Sequence, residues 1–149
     1  MTTAIHLAGP ADLAKVTSLM QRYHEEAGLP YDDAHREAAA SPLLEGSPLG
    51  AVWLVGPARA PLGYVLLGFG WSTHHAGMTG HLQEIFIRPS VRRRGIGTEV
   101  IHAIAVSLRD AGLKALEVRA GDETDSHVSF CRRAGFKETA TTLILTDPL

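Results

Sequence analysis

Apolar residues in this chain change period along its length, and the changes mark the elements. "AIHLAG" (Ala4 to Gly9) reads as a short first strand. In "ADLAKVTSLMQRYHEEA", Leu13, Val16, Met20, His24 and Ala27 recur at three- and four-residue spacing, predicting an amphipathic helix that Gly28 and Pro30 end. "YDDAHREAAASPLLEG" predicts a second helix, stopped near Ser41-Pro42. "AVWLVG" reads as a strand, and a turn from Pro57 to Pro61 leads into the almost wholly apolar strand "GYVLLGFGWS". Ser72 to Gly80 reads as a loop or ragged hairpin end. "HLQEIFIRP" is a strand closed by Pro89. A helix follows with Val100, Ile101, Ile104, Ala105 and Leu108 on one face and Gly112 just past its end. "KALEVRA" is a strand, "GDETDS" a turn, and His127, Phe130, Cys131 and Ala134 form a helical stripe. "ATTLILT" is a final strand. Strands and helices alternate as βα(α)βββαβαβ, which predicts one mixed sheet flanked by helices.

Composition narrows the class. A chain of 149 residues, 45% hydrophobic and 20% charged, suits one domain spanning residues 1–149 with a single core. The formal net charge of -2 argues against a protein whose whole surface is basic for nucleic acid. Cys131 is the single cysteine, which excludes an internal disulfide or a cysteine-based metal cluster. No stretch approaches the ~20 apolar residues of a membrane span, and the first residues carry no basic segment followed by a long apolar run. Cytoplasmic residence, no membrane and no nucleic-acid partner are the resulting expectations.

Against that neutral background, "RPSVRRRGIGTEVI" concentrates charge. Arg92, Arg93 and Arg94 precede Gly95-Ile96-Gly97 at the point where a helix begins. A helix N-terminus exposes unpaired N–H groups and the positive end of the helix dipole, so it attracts phosphates. Glycines at 95 and 97 remove side chains that would hold a ligand away from those amides. The competing reading is a solvated basic turn. No Gly-Lys-Ser/Thr follows, and the third glycine of a dinucleotide fingerprint is missing, so an anion seated here belongs to another phosphorylated ligand.

At this point the sequence resembles the GNAT superfamily of acyl-CoA-dependent N-acetyltransferases. The family's Arg/Gln-x-x-Gly-x-Gly/Ala appears as Arg92 to Gly97, behind the strand "LQEIFIRP" (Leu82 to Pro89) and ahead of "FCRRAGF" (Phe130 to Phe136). The resemblance implies an α+β, three-layer (α/β three-layer) fold with a mixed, mostly antiparallel central sheet, flanked by helices and splayed after its fourth strand. It implies acetyl-CoA as co-substrate. His74 and His75 could pair on a metal, but spacing places no third ligand, so a polar loop and no metal are expected. Backbone groups of Arg93, Arg94, Gly95, Ile96, Gly97 and Thr98, helped by the arginine side chains including Arg92, would hold the pyrophosphate. Ile85, Phe86 and Ile87 would lend backbone groups to the pantetheine arm. The family's usual asparagine before the last helix has no firm counterpart. Counting forward gives Asp122 and counting back gives Thr124, and either residue can equally be a helix cap.

The chemistry needs an amine stripped of its proton, and alkyl amines have pKa values near 10.4. Simple alternation in "LQEIFI" puts Leu82, Glu84 and Phe86 on one face. Glu84 is an acid inside an otherwise apolar strand, costly unless it has a use or a partner. The resemblance implies a general base there; the competing reading is a carboxylate bonded to structural neighbours. Cys131 stands where the family often has a tyrosine acid, and is either a proton donor or a small packing residue. Tyr23, His24 and Tyr31 fall in the helical region that the resemblance places over the acceptor pocket, and are equally suited to packing. His74, beside His75, lies in the loop after the apolar strand and is expected near the acceptor's entry. The resulting reading is acetyl transfer to a small-molecule or peptide amine by direct attack in a ternary complex, in a monomer or homodimer. Its alternative is a catalytically silent acyl-CoA-binding regulatory module. A nucleic-acid-binding turn fits less well, because no aromatic platform accompanies the arginines.

Overall fold

The computed structural model describes residues 2–119, 126–139 and 145–148. Among them run β1 (Ile5–Leu7), α1 (Leu13–Ala27), α2 (Asp33–Leu44), β2 (Gly50–Val55), β3 (Gly63–Ser72), β4 (Gly77–Ile87), α3 (Ile96–Asp110), β5 (Ala115–Val118) and α4 (Ser126–Arg133). Pro10–Asp12 and Pro89–Val91 form single 3-10 turns. Asp122, Thr124 and nearly all of the expected final strand lie outside the described residues.

The strands form one sheet in chain order, β1-β2-β3-β4-β5. Every neighbouring pair is antiparallel except β4 and β5, which run parallel. The mixed, mostly antiparallel sheet is therefore present. β3 explains why its sequence is so uniformly apolar: it is central and covered on both faces. Toward α1 and α2, Tyr64 and Leu66 join Val52, Leu54, Phe86, Val16, Leu19, Met20, Ala40 and Leu44. Toward α3, Val65 and Leu67 join Val55, Leu82, Val100, Ile101 and Ile104, with Phe130 and Phe136 packed against them. Helices on both faces make three layers.

Three expectations need correction. The second helix does not stop at Ser41-Pro42 but runs on to Leu44. Pro42 sits in its last turn, where it forfeits a single i→i−4 bond, and buried Ala40 and Leu44 still dock that turn. Of the two readings of Ser72 to Gly80, the hairpin end holds and the loop does not. β3 and β4 pair as far as Ser72↔Gly77, so only residues 73–76 turn, with Ala76 at φ 54.

The third correction concerns β4. Alternation does not hold through it, because the register shifts where Leu66 faces Glu84 and the next residue, Leu67, faces Leu82. Gln83 is the unpaired extra residue, a β-bulge. Leu82 therefore packs toward α3 with Ile85 and Ile87, while Glu84 and Phe86 turn toward α1. Just there the sheet opens. β5 pairs with β4 only from Thr79↔Ala115 to Leu82↔Val118. Gln83 to Ile87 have no strand on that side among the described residues, which is the expected splay after the fourth strand.

The α3-side core rests on Leu67, which is fully buried. Leu67→Ala should lower unfolding free energy by about 2–5 kcal/mol, through lost transfer energy and a residual cavity. Chemical denaturation of the two proteins measures this; a loss under about 1 kcal/mol would mean the site collapses freely.

Candidate active site

The turn into α3 is built to leave N–H groups open. Gly95, at φ 75, is the N-cap of α3, and no side chain caps the helix. Arg93 is also left-handed, at φ 63, a conformation that costs a residue with a Cβ about 1 kcal/mol or more. A left-handed residue set directly before right-handed ones, as Gly95 is before α3, turns successive N–H groups toward one concave side, which suits an anion. The two glycines have different tasks. A side chain on Gly95 would meet nothing within 4 Å, but its backbone angle favours glycine. A Cβ on Gly97 would come within 2.9 Å of the Phe130 ring. Gly97 is therefore small because α4 packs against it, and Gly97→Val would disturb that packing before it disturbed any ligand. Ile96 and Thr98 are partly buried in the first turn of α3, and Cys131, beside Phe130 on α4, is buried.

The three arginines also divide. Arg93 and Arg94 extend into solvent. Arg92 turns back over the protein. Its two Nη groups donate to the two carboxylate oxygens of Glu26, at 2.6 Å each, and its Nε donates to the Ile87 carbonyl at 2.7 Å. The guanidinium carbon lies 5.4 Å from the centre of the Phe86 ring. This forked pair holds the Glu26 carboxyl below its ordinary range and raises Arg92. It fastens the end of α1 to the β4–α3 turn. An open groove of about 580 Å³ lies beside it, lined by Arg22, Glu25, Glu26, Phe86 and Pro89.

On the α1 face, Glu84 is partly buried and its Oε1 accepts a 2.7 Å hydrogen bond from the hydroxyl of Tyr64, itself wholly buried. Phe86 joins two tyrosines, its ring centre lying 6.3 Å from that of Tyr64 and 6.4 Å from that of Tyr23. Burial, and then the charge of Glu84, push the Tyr23 hydroxyl up. His24 is buried and packs its ring 5.7 Å from Tyr23 and 5.1 Å from Tyr31. Burial, with Arg36 and His35 adding to it and Glu84 opposing, lowers the His24 pKa and favours the neutral ring. Arg36 Nη1 lies 3.4 Å from His24 Nδ1. A guanidinium only donates, so the His24 proton belongs on Nε2. Arg36 also donates to the Tyr31 carbonyl and to Asp33, while Tyr31 stacks on His35 at 4.0 Å.

The fold thus brings Glu84, Tyr23, His24 and Tyr31 into one cluster. His74 is a correction: it sits in the β3–β4 hairpin turn, before Gly77. At about 3.3 Å per residue along β4, that is roughly 20 Å from Glu84. Its ring lies edge-on to His75, whose Nδ1 is 3.0 Å from the Ser72 hydroxyl. Sequence reasoning missed Tyr64, Arg36 and Glu26. A signal existed for Tyr64, since a lone phenol in an apolar strand needs a polar partner and the neighbouring strand holds one carboxylate. Among the described residues no helix is long and apolar enough to cross a membrane.

Comparison with known proteins gives concordant results. The acetyltransferase (GNAT) family model matches residues 13–136. An uncharacterized N-acetyltransferase of Methanocaldococcus jannaschii is 32% identical over 79 residues, which is 52% of this chain and only 35% of that relative's length. An integron cassette protein from the mobile metagenome of Cole Harbour Salt Marsh superposes with a TM-score of 0.85 at 27% identity, covering 97% of this chain and 90% of that one. The fold also matches AAC(6')-Iy, solved with the bisubstrate analogue CoA-S-monomethyl-acetylneamine, at a TM-score of 0.83 and 16% identity over the full length of both chains.

The Glu26–Arg92 pair predicts a pH-dependent contribution to stability. Because the folded carboxyl lies below its ordinary value of 4.5, the contribution is complete above that value and fades as pH falls through the lowered one. Both side chains are well exposed, so Glu26→Gln should cost at most about 1 kcal/mol at pH 7. The difference from wild type should shrink below about pH 4.5. Melting curves from pH 3 to pH 7 test this; a gap that widens toward acid would contradict the pair's role.

Proposed function

The chain belongs to the acetyltransferase (GNAT) family, and from that premise we propose that it transfers an acetyl group from acetyl-CoA to a primary amine by direct attack in a ternary complex. The observation that carries the proposal is Glu84. It is a carboxylate set among apolar side chains, with one oxygen held by Tyr64, on the strand whose far edge, among the described residues, is free beyond Leu82. An uncapped helix terminus with two exposed arginines follows on the same chain. The three features together suit a phosphorylated acyl carrier and an amine, and no single one would.

Acetyl-CoA, when bound, supplies an acyl carbonyl activated as a thioester. The N–H groups of Ile96, Gly97 and Thr98 carry no helical bond of their own and would receive its diphosphate, with Arg93 and Arg94 adding charge. The free edge of β4 at Ile85, Phe86 and Ile87 offers backbone groups to an extended arm, although Arg92 already uses the Ile87 carbonyl. At neutral pH an alkyl amine is mostly protonated, so the acceptor must lose a proton before its nitrogen can attack. Glu84 takes that proton, directly or through one water, using the oxygen that Tyr64 leaves open. Tyr23, His24 and Tyr31 form the acceptor's wall, and neutral His24 adds no repulsion toward a cation. Cys131, being buried, is assigned to packing, with the departing thiolate needing little help. A soluble cytoplasmic setting and a small amine acceptor complete the proposal.

Two measurements test it. Replacing Arg93 and Arg94 together with glutamate should weaken CoA binding about tenfold or more in titration calorimetry, since each forfeits a charge-assisted contact. Unchanged affinity in a folded variant would remove the turn from the cofactor site. Glu84→Gln should lower turnover by about 10²-fold near neutral pH, as loss of a general base does, and the deficit should narrow at high pH, where more amine is already neutral. A deficit independent of pH would assign Glu84 a structural task. CoA binding without thiol release on any amine tested would leave a silent acyl-CoA-binding module instead.

A further inference from the structure

The central strand β3 carries one phenol among apolar side chains. Tyr64 is wholly buried and packs with Val52, Leu54, Leu66 and Phe86 under α1 and α2. A buried hydroxyl has to find a partner or forfeit its hydration. Tyr64 finds it across the strands. Its register partner on β4 is Phe86, and Glu84, two residues along on the same face, receives the hydrogen bond at 2.7 Å. That diagonal exists because the Gln83 bulge turns Glu84 toward α1 rather than α3.

We propose that Tyr64 is a positioning residue for acetyl transfer: its hydroxyl fixes the rotamer of Glu84 and occupies Oε1, so that Oε2 is the oxygen presented to the acceptor amine. The inference rests on the reading of Glu84 as the base. The direction of the bond is secure. Burial first, and the charge of Glu84 next, hold the phenol far above its ordinary pKa, so it stays protonated and donates. A glutamate has three side-chain torsions, and without an anchor its carboxylate samples several staggered wells. A donor on a rigid ring in the sheet core removes that freedom and satisfies one oxygen, leaving the other for proton transfer. Tyr23, which also feels the Glu84 charge, is only partly buried and lies on α1, so it cannot anchor the carboxylate as firmly.

The test is a double-mutant cycle on thiol release with acetyl-CoA and an accepted amine, using Tyr64→Phe, Glu84→Gln and the pair. Tyr64→Phe keeps the ring and removes only the donor. It should lower kcat about tenfold and leave the KM for acetyl-CoA unchanged. In the Glu84→Gln background the same change should have no further effect, because no base is left to position. A merely structural Tyr64 would lower activity by the same factor in both backgrounds, and that result would overturn the inference. So would a Tyr64→Phe protein with wild-type kcat beside a Glu84→Gln protein that is impaired. If Glu84→Gln alone is harmless, the base reading fails first. A second measurement needs no variant at position 64. The exchange-protected Tyr64 hydroxyl proton should be visible by NMR in the wild type and lose its protection in Glu84→Ala; unaltered protection would also overturn the inference.

Discussion

An ionised carboxylate among leucine, valine and phenylalanine side chains has lost part of its water, and the protein must return a donor or accept a neutral acid. The Tyr64 hydroxyl meets that requirement for Glu84, and much of the surrounding structure follows from it. The donor must be rigid, so it is a ring in the central strand. The ring must be dry, so α1 and α2 cover that face. The carboxylate must still reach a substrate, so it sits just past the point where β5 stops pairing with β4, at Leu82. Burial is usually discussed as the source of stability; here it also decides which way a hydrogen bond points.

The two halves of the site are joined through a surface contact of modest energy. α1 supplies Tyr23 and His24, and the β4–α3 turn supplies the exposed N–H groups; the link between them is Arg92 lying across Phe86 to reach Glu26. A forked guanidinium–carboxylate pair fixes orientation well even where solvent limits its energy. The acceptor wall and the phosphate turn therefore share one reference point. Of the three arginines only Arg92 has this task, which separates a residue that shapes the site from two that present charge to it.

What could be read from the sequence follows the range of the forces involved. α1, β3 and α3 are visible because their apolar periods are strong over ten or more residues. The turn before α3 is visible because glycine and arginine are unusual together at a helix start. Glu84 stands out against its apolar neighbours. The errors all require knowledge of a partner strand or a distant helix. Alternation in β4 fails at Gln83 because a bulge is a property of two strands, not one. Ser72 to Gly80 reads equally as a loop or a ragged hairpin end because glycines interrupt it, and only the fold shows that Gly77 and Gly80 make room for Lys114 and Leu116 beside them. Arg92 reads as a phosphate ligand until Glu26, 66 residues earlier, is known to be within reach. His24 lies on the helix stripe where its spacing puts it, but its neutrality comes from burial first, with Arg36 and His35 of the next helix adding to it.

The extra residue at position 83 has a consequence for how such a site can be altered. Gln83 pairs with nothing on β3, so a strand without it would still set Leu82 opposite Leu67 and Glu84 opposite Leu66, as neighbours in a regular ladder with both side chains in their present layers. With Gln83 in place, a strand that lost the bulge and paired every residue in turn would force either Leu82 out of the Val100, Ile101 and Ile104 layer or Glu84 into it. The side the carboxylate enters is thus held by where the pairing skips a residue. Transplanting the site to a new scaffold means transplanting a register.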